Sequence, residues 1–270
     1  MSYLLDPDNW EWLFTGNNAR FIVEGFLINL EIALIAMVLA LVFGLALALL
    51  RLSRARPVSV VAGTWVDVFR NLPLIFVILF LALQMPESWK RGWVDTVPSW
   101  APEAFQSQFL PAALLGLVLY NSAVLAEIMR SGILSLPRGQ AEAAAALGLS
   151  YHASMRHVIL PQGLRRMIPA TVSQLITLNK DTTLVSIIAI TEVLRRARIV
   201  SASAGNPFVG GSDVQAPILQ VLIFVGLLFI VVNLALSRLS RRLEIRERAR
   251  SGTKLERVRG LEDQVAAEPV

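Results

Sequence analysis

The sequence predicts an all-α membrane protein of about five transmembrane helices joined by a cytoplasmic helical loop. Three observations lead there. The 270 residues are 55% hydrophobic and only 17% charged, with a mean hydropathy of +0.59, whereas soluble domains carry about 25% charged residues. The apolar residues fall in runs of the length, about 20 residues, that a bilayer requires. Arginines gather in short stretches beside those runs, as the positive-inside rule expects of cytoplasmic loops. That pattern accounts for the net charge of +5 without nucleic acid, for which no basic stripe with interleaved aromatics is present. The absence of cysteine excludes disulfides, thiolate metal sites and lipidation on cysteine.

Residues 1–20 read as a polar and aromatic extracytoplasmic head, with Trp10 and Trp12 suited to a membrane interface. Asp6, Asp8 and Glu11, with no basic segment ahead of a short apolar core, argue against a cleavable signal. The membrane domain spans 21–243. Its first span, Phe21 to Leu50, is apolar apart from Glu24, Asn29 and Glu31, and ends at Arg51, Arg54 and Arg56. The N-terminus is therefore expected outside. The second run, Val58 to Leu83, is interrupted by Asp67, Arg70, Asn71 and Pro73. Asp67 and Arg70 are three apart and can pair on one helix face, and Pro73 predicts a kink or a helix start. A mixed-charge loop over 84–108 with Trp89, Trp93 and Trp100 suits the outer face.

The third span, Phe109 to Leu134, carries Asn121, Ser122, Glu127 and Arg130. The fourth, Ile168 to Leu194, carries Asn179, Lys180, Asp181 and Thr183 near its middle. Arg195, Arg196 and Arg198 then fall at its outer end, so either they line an aqueous vestibule or the span is shorter and partly re-entrant. The fifth span, Ala216 to Leu236, ends at Arg238, Arg241 and Arg242. That puts the C-terminus inside, with residues 244–270 as a charged cytoplasmic tail.

Between the third and fourth spans lies a basic stretch of about thirty residues, Arg138 to Pro169, and a connection that long is usually functional. Alanine-rich sequence around Glu142, Ala143 and Ala144 favours helix. Gly148 is placed to end it in a left-handed conformation, Ser150 to cap a second short helix, and Pro161 to break that helix before the next span. The expected product is a helix–turn–helix with a small-residue face that a partner can approach closely.

This loop resembles the EAA loop of ATP-binding-cassette importer permeases. The pattern is E-A-A, three residues, G, nine residues, I-x-L-P, and stands here as Glu142-Ala143-Ala144, Gly148, Val158 and Leu160-Pro161, with valine for isoleucine. Flanking stretches are similar to the polar amino acid branch. Phe69-Arg70-Asn71-Leu72-Pro73-Leu74 is similar to F-R-G-T-P-L, with Asn71 and Leu72 departing. Ala126 to Ile133 is similar to A-E-I-x-R-G-G-I, and Asn179 to Leu184 to L-K-D-T-S-L. The resemblance covers about residues 20 to 243. It implies a type I importer permease, embedded in lipid of the plasma (inner) membrane and paired with a second permease, a copy or a relative. Two ATPase subunits would dock on the coupling loop (138–166), and an extracytoplasmic binding protein would deliver a polar amino acid; a cationic pathway suits an acidic one such as glutamate. The chain itself then needs no cofactor, because a partner binds the ATP. Its own lysines agree: Lys90, Lys180 and Lys254 are followed by arginine, aspartate and leucine, and none completes G-x-x-x-x-G-K-[ST].

Charges at bilayer depth cost about 2.5–3.5 kcal/mol on insertion scales, so Lys180 and Asp181 are expected away from lipid. At about 1.5 Å per residue, Lys180 lies about 18 Å from the inner end of its span and Glu31 about 15 Å from the outer end of the first. Lys180 is therefore expected to pair with Glu31 or Glu127, either holding the bundle or lining the pathway with Asp181 and Thr183. Asn121, Ser122, Asn179 and Thr183 could bind a zwitterion, or glue helices together. The rival transport reading is a proton-coupled secondary transporter using Glu31, Glu127, Lys180 and Asp181 as a relay. An ATP-independent channel is a further rival. An intramembrane hydrolase is disfavoured, because His152 and His157 both lie in the loop and no G-x-S-x-G is present.

Overall fold

The structure, a computed structural model, describes residues 6–202 and 217–250. The first five residues of the head, the loop over 203–216 and the tail beyond 250 lie outside the described residues. All regular elements described are helical: α1 (Asn18–Arg51), α2 (Arg56–Asn71), α3 (Leu74–Gln84), α4 (Glu87–Thr96), α5 (Leu110–Leu134), α6 (Arg138–Ala146), α7 (Leu160–Asp181), α8 (Val193–Ala202) and α9 (Ile218–Arg250), with shorter helical turns between them.

Among the described residues, α1, α5 and α9 are long and apolar enough to cross a membrane; α2 and α3 make a fourth crossing if taken as one span. That pair bends by 100° at Leu72-Pro73, where Pro73 cannot continue the ladder and holds Leu72 extended (ψ 139°). The remaining expected crossing, the fourth span, is α7, which has the length but is more polar.

The bundle is built on a close pair. Ala36, Ala40, Gly44 and Ala48 recur every fourth residue and are all buried, forming a smooth ridge on α1. A Cβ at Gly44 would stand 3.0 Å from Leu125 Cβ and 3.0 Å from the Ser122 carbonyl oxygen. Small residues let helix backbones approach where lipid offers no hydrophobic drive to associate. Further along both helices Arg51 meets Glu127, so α1 and α5 run parallel. Helix α7 runs back against α5: Gly163 meets Ile133, Gly132 meets Met167, and Gln174 bonds Asn121. Helix α9 runs antiparallel to α7, through Ser173–Ser240 at one end and Asn179–Asn233 further along. The arginine-rich ends of α1, α5 and α9 and the start of α7 thus share one end of the bundle.

Several expectations change. Trp12 is not interfacial but fully buried, edge-on to Phe224 of α9 with centroids 6.0 Å apart. The loop over 84–108 contains a helix, α4, and the Trp93 indole N–H donates to the Phe105 carbonyl at 2.8 Å. Pro161 does not break its helix. It sits in the first turn of α7, and the turn before it, Met155–Ile159, is π-helical. The wider ladder, with the Leu160 N–H donating to the Met155 carbonyl, removes the clash a proline ring makes with an α-helical carbonyl. The fourth span is the shorter of its two readings: α7 stops at Asp181, a 3-10 segment follows to Ile188, Ala189 turns with φ 63°, and α8 begins at Val193. No break separates the tail, since α9 runs through Glu244 to Arg250.

Candidate coupling hairpin and intramembrane polar network

The loop between α5 and α7 is a helical hairpin. Helix α6 ends at Gly148, whose φ is 75°. The Leu149 N–H donates to the Ala144 carbonyl at 3.1 Å and the Gly148 N–H to the Ala145 carbonyl at 2.9 Å, the paired bonds of a Schellman cap. The Ser150 hydroxyl then accepts from the Ala153 N–H at 3.3 Å and starts the next helical turn, as its residue type prescribes. Glu142, Ala143, Gly148 and Pro161 are exposed, Val158 and Leu160 half-buried and Ala144 buried. The tip also presents Leu147, 81% exposed.

Three contacts tie the hairpin to the bundle and a fourth braces it internally. The Tyr151 hydroxyl donates to the Leu52 carbonyl at 3.3 Å, and the Arg54 guanidinium lies 4.1 Å over the Tyr151 ring. Gln162 donates to Gln140 at 3.1 Å across the hairpin, and Arg166 to the Ser135 carbonyl at 2.9 Å. The hairpin is thereby joined to the ends of α1, α5 and α7 together.

Beside it sits a charged cluster. Glu127 accepts from Arg51 at 2.7 Å and from Arg130, one turn along its own helix. Arg51 also reaches Asp67 at 3.3 Å. The expected Asp67–Arg70 pair is replaced by this contact, because α2 turns Asp67 toward the end of α1.

The pathway candidates divide. Asn121, Ser122 and Asn179 are buried and engaged within the bundle. Asn121 donates to the Leu117 carbonyl at 2.8 Å and accepts from Gln174 at 2.8 Å. Ser122 donates to the Leu119 carbonyl at 3.0 Å, and Asn179 donates to Asn233 at 3.2 Å while its own Oδ1 has no partner. Lys180 is exposed, Asp181 and Thr183 half-buried. Among the described residues no ion pair joins Lys180 to Glu31 or Glu127; Glu31 is exposed and Glu127 is held by its arginines. The reason is rotational: Asn179 faces α9, and the next position turns about 100° away.

A buried network escaped the sequence reading. The Asn29 side-chain amide donates to Thr182 Oγ1 and to Glu192 Oε2, each at 3.0 Å, and its Oδ1 accepts from the Val193 N–H at 3.0 Å. Glu192, fully buried, caps α8 by accepting from the Arg195 N–H at 2.9 Å. A carboxylate at a helix N-terminus is stabilised by free N–H groups and the helix dipole. Next to it Arg196 donates to Glu24 at 3.3 Å and to the Phe21 carbonyl at 2.9 Å. Arg196 thus staples α8 to α1, while Arg195 and Arg198 are exposed. The glutamate before an apolar-basic helix was a readable cap signal; the partner in α1 was not.

Residues 19–245 match the family of binding-protein-dependent transport system inner membrane components. The chain is 33% identical over 234 residues to a probable glutamine ABC transporter permease protein of Bacillus subtilis (strain 168), covering 87% of this chain and 97% of that one. It is 36% identical over 247 residues to a glutamate transport system permease protein of Corynebacterium glutamicum, covering 91% and 82%. A solved amino acid ABC transporter with histidines superposes with a TM-score of 0.66 at 26% identity, over 84% of this chain and 94% of that one. The hairpin, the bundle and these matches agree: the chain belongs to the family of inner-membrane permease components of binding-protein-dependent transport systems.

Proposed function

We propose that this chain is the membrane permease of an ATP-driven importer that passes a polar amino acid of the glutamine and glutamate class inward by alternating access. The hairpin at the arginine-rich end carries the reading. It is tied to three membrane helices and presents Ala143, Leu147 and Gly148 to solvent, an apolar tip of the kind a partner's groove covers. Membership of the family implies an ATPase, a substrate-binding protein and a second permease as partners. In the proposed assembly two ATPases each receive one hairpin through Glu142, Ala143, Ala144, Gly148, Val158, Leu160 and Pro161. The N-terminus faces outside and the C-terminus the cytoplasm, in accord with the arginines gathered at one end. The proton-relay alternative finds no support among the described residues: Glu127 is clamped by two arginines and Lys180 points out of the bundle.

The test is co-purification of the ATPase from detergent. Parent protein is expected to retain it, and Leu147→Glu and Gly148→Trp to lose it while the permease stays folded. Leu147→Glu is the cleaner variant, because any side chain strains Gly148 at positive φ. Retention by both variants sinks the docking reading.

A further inference from the structure

We propose that the cleft between the end of α1 and the π-helical turn of the hairpin is a binding site for an anionic phospholipid of the inner leaflet. The cleft has a volume of about 840 Å³. Its floor is apolar, with Leu49, Leu50 and Leu160, and its rim carries Ser53, Arg54 and Arg156. Both arginines are exposed, and neither forms an ion pair among the described residues.

Two independent features select a lipid. Val38, Val42, Ala46 and Leu50 recur every fourth residue along α1 and are all exposed, opposite the small-residue ridge that packs on α5. This apolar track runs down the exposed face of the helix and into the cleft, which Ala46 and Leu50 help to line. The rim then lies where α1 leaves the bilayer, at the depth of the headgroups. An acyl chain fits the track, and a phosphate fits two guanidiniums and a serine hydroxyl. A free phosphate would have no use for the track, and a neutral lipid none for the arginines. Because Arg54 stacks on Tyr151 and Leu160 stands at the root of α7, a lipid seated here braces the hairpin against α1.

The experiment is native mass spectrometry of the complete transporter delipidated and then titrated with phosphatidylglycerol or phosphatidylcholine. Two cations near the headgroup predict a preference for phosphatidylglycerol on the order of tenfold or more. Arg54→Gln with Arg156→Gln is expected to abolish the preference, and Arg54→Lys with Arg156→Lys to keep most of it. Ala46→Trp, which blocks the track, is expected to reduce retention of both lipids. Equal retention of the two lipids by the parent overturns the proposal. So does an unchanged preference in the double glutamine variant. Release of bound lipid by millimolar inorganic phosphate would instead make this a simple anion site, and binding only after the ATPase is stripped away would make it a partner's contact; either result also overturns it.

Discussion

Arg51 at the end of α1 donates to Glu127 of α5 at 2.7 Å, joining residues 76 positions apart in the chain. The pair closes the end of the bundle from which the hairpin hangs. Arg130 binds the other oxygen of the same carboxylate, and the three side chains are each less than one-third exposed.

Removing the shared carboxylate leaves two guanidiniums facing each other. Glu127→Gln is expected to destabilise the permease by about 1–3 kcal/mol, less than the 3–5 kcal/mol of a fully buried pair because water reaches the site. Asp67 is 58% exposed, so Asp67→Asn should cost no more than about 0.5 kcal/mol. Thermal unfolding in detergent compares the two, and equal shifts would show that the cluster is not organised around Glu127.

Gly44 and Gly132 both leave no room for a Cβ, but they should respond differently. At Gly44 the obstacles are the Ser122 backbone oxygen and Leu125 Cβ, which cannot move without separating α1 from α5. Gly44→Val is expected to cost about 1–3 kcal/mol and to lower the yield of assembled complex. At Gly132 the obstacle is the Met167 side chain from Cγ outward, so Gly132→Ala should be tolerated once that whole side chain rotates aside. Size-exclusion profiles of the two variants test the contrast.

Asn29 serves three partners with one side chain. Asn29→Leu removes them all and leaves the Val193 N–H and Glu192 buried and short of bonds, at about 1–3 kcal/mol for each unsatisfied group. Hydrogen exchange should then accelerate in α8 before it does in α5. Uniform acceleration would mean that α8 is not held by this network.

Lys180 stands exposed one residue beyond the buried Asn179. If it lines the pathway in the paired assembly, Lys180→Met should reduce uptake at least about tenfold, the worth of one charge-assisted contact, while the transporter assembles normally. Loss of assembly with the remaining transporters fully active would make it a contact between permeases instead.

The hairpin was legible because its information is local. A glycine at C′ and a serine at an N-cap act on N–H and carbonyl groups within one turn, so Gly148 and Ser150 could be assigned by position alone. Pro161 was misread because the device that accommodates it, the π-helical turn over Met155–Ile159, has no residue signature of its own. The small-residue ridge of α1 was present in the sequence at every fourth position but became meaningful only against α5. Glu192 could be seen as a cap, though nothing in the chain announces that Asn29, 163 positions away, completes it.

By itself, then, the sequence determined the membrane class, the apolar spans, the hairpin with its caps, and the clustering of arginine near certain span ends. These follow from composition, helical period and turn chemistry, which are properties of neighbouring residues. The tertiary structure alone decided which charge meets which: Glu127 with Arg51 rather than Lys180, Arg196 with Glu24, Asp67 with Arg51 rather than Arg70. Each residue step rotates a side chain by about 100° around its helix. Depth in the membrane can therefore be counted along the chain, but facing is set only when the helices pack.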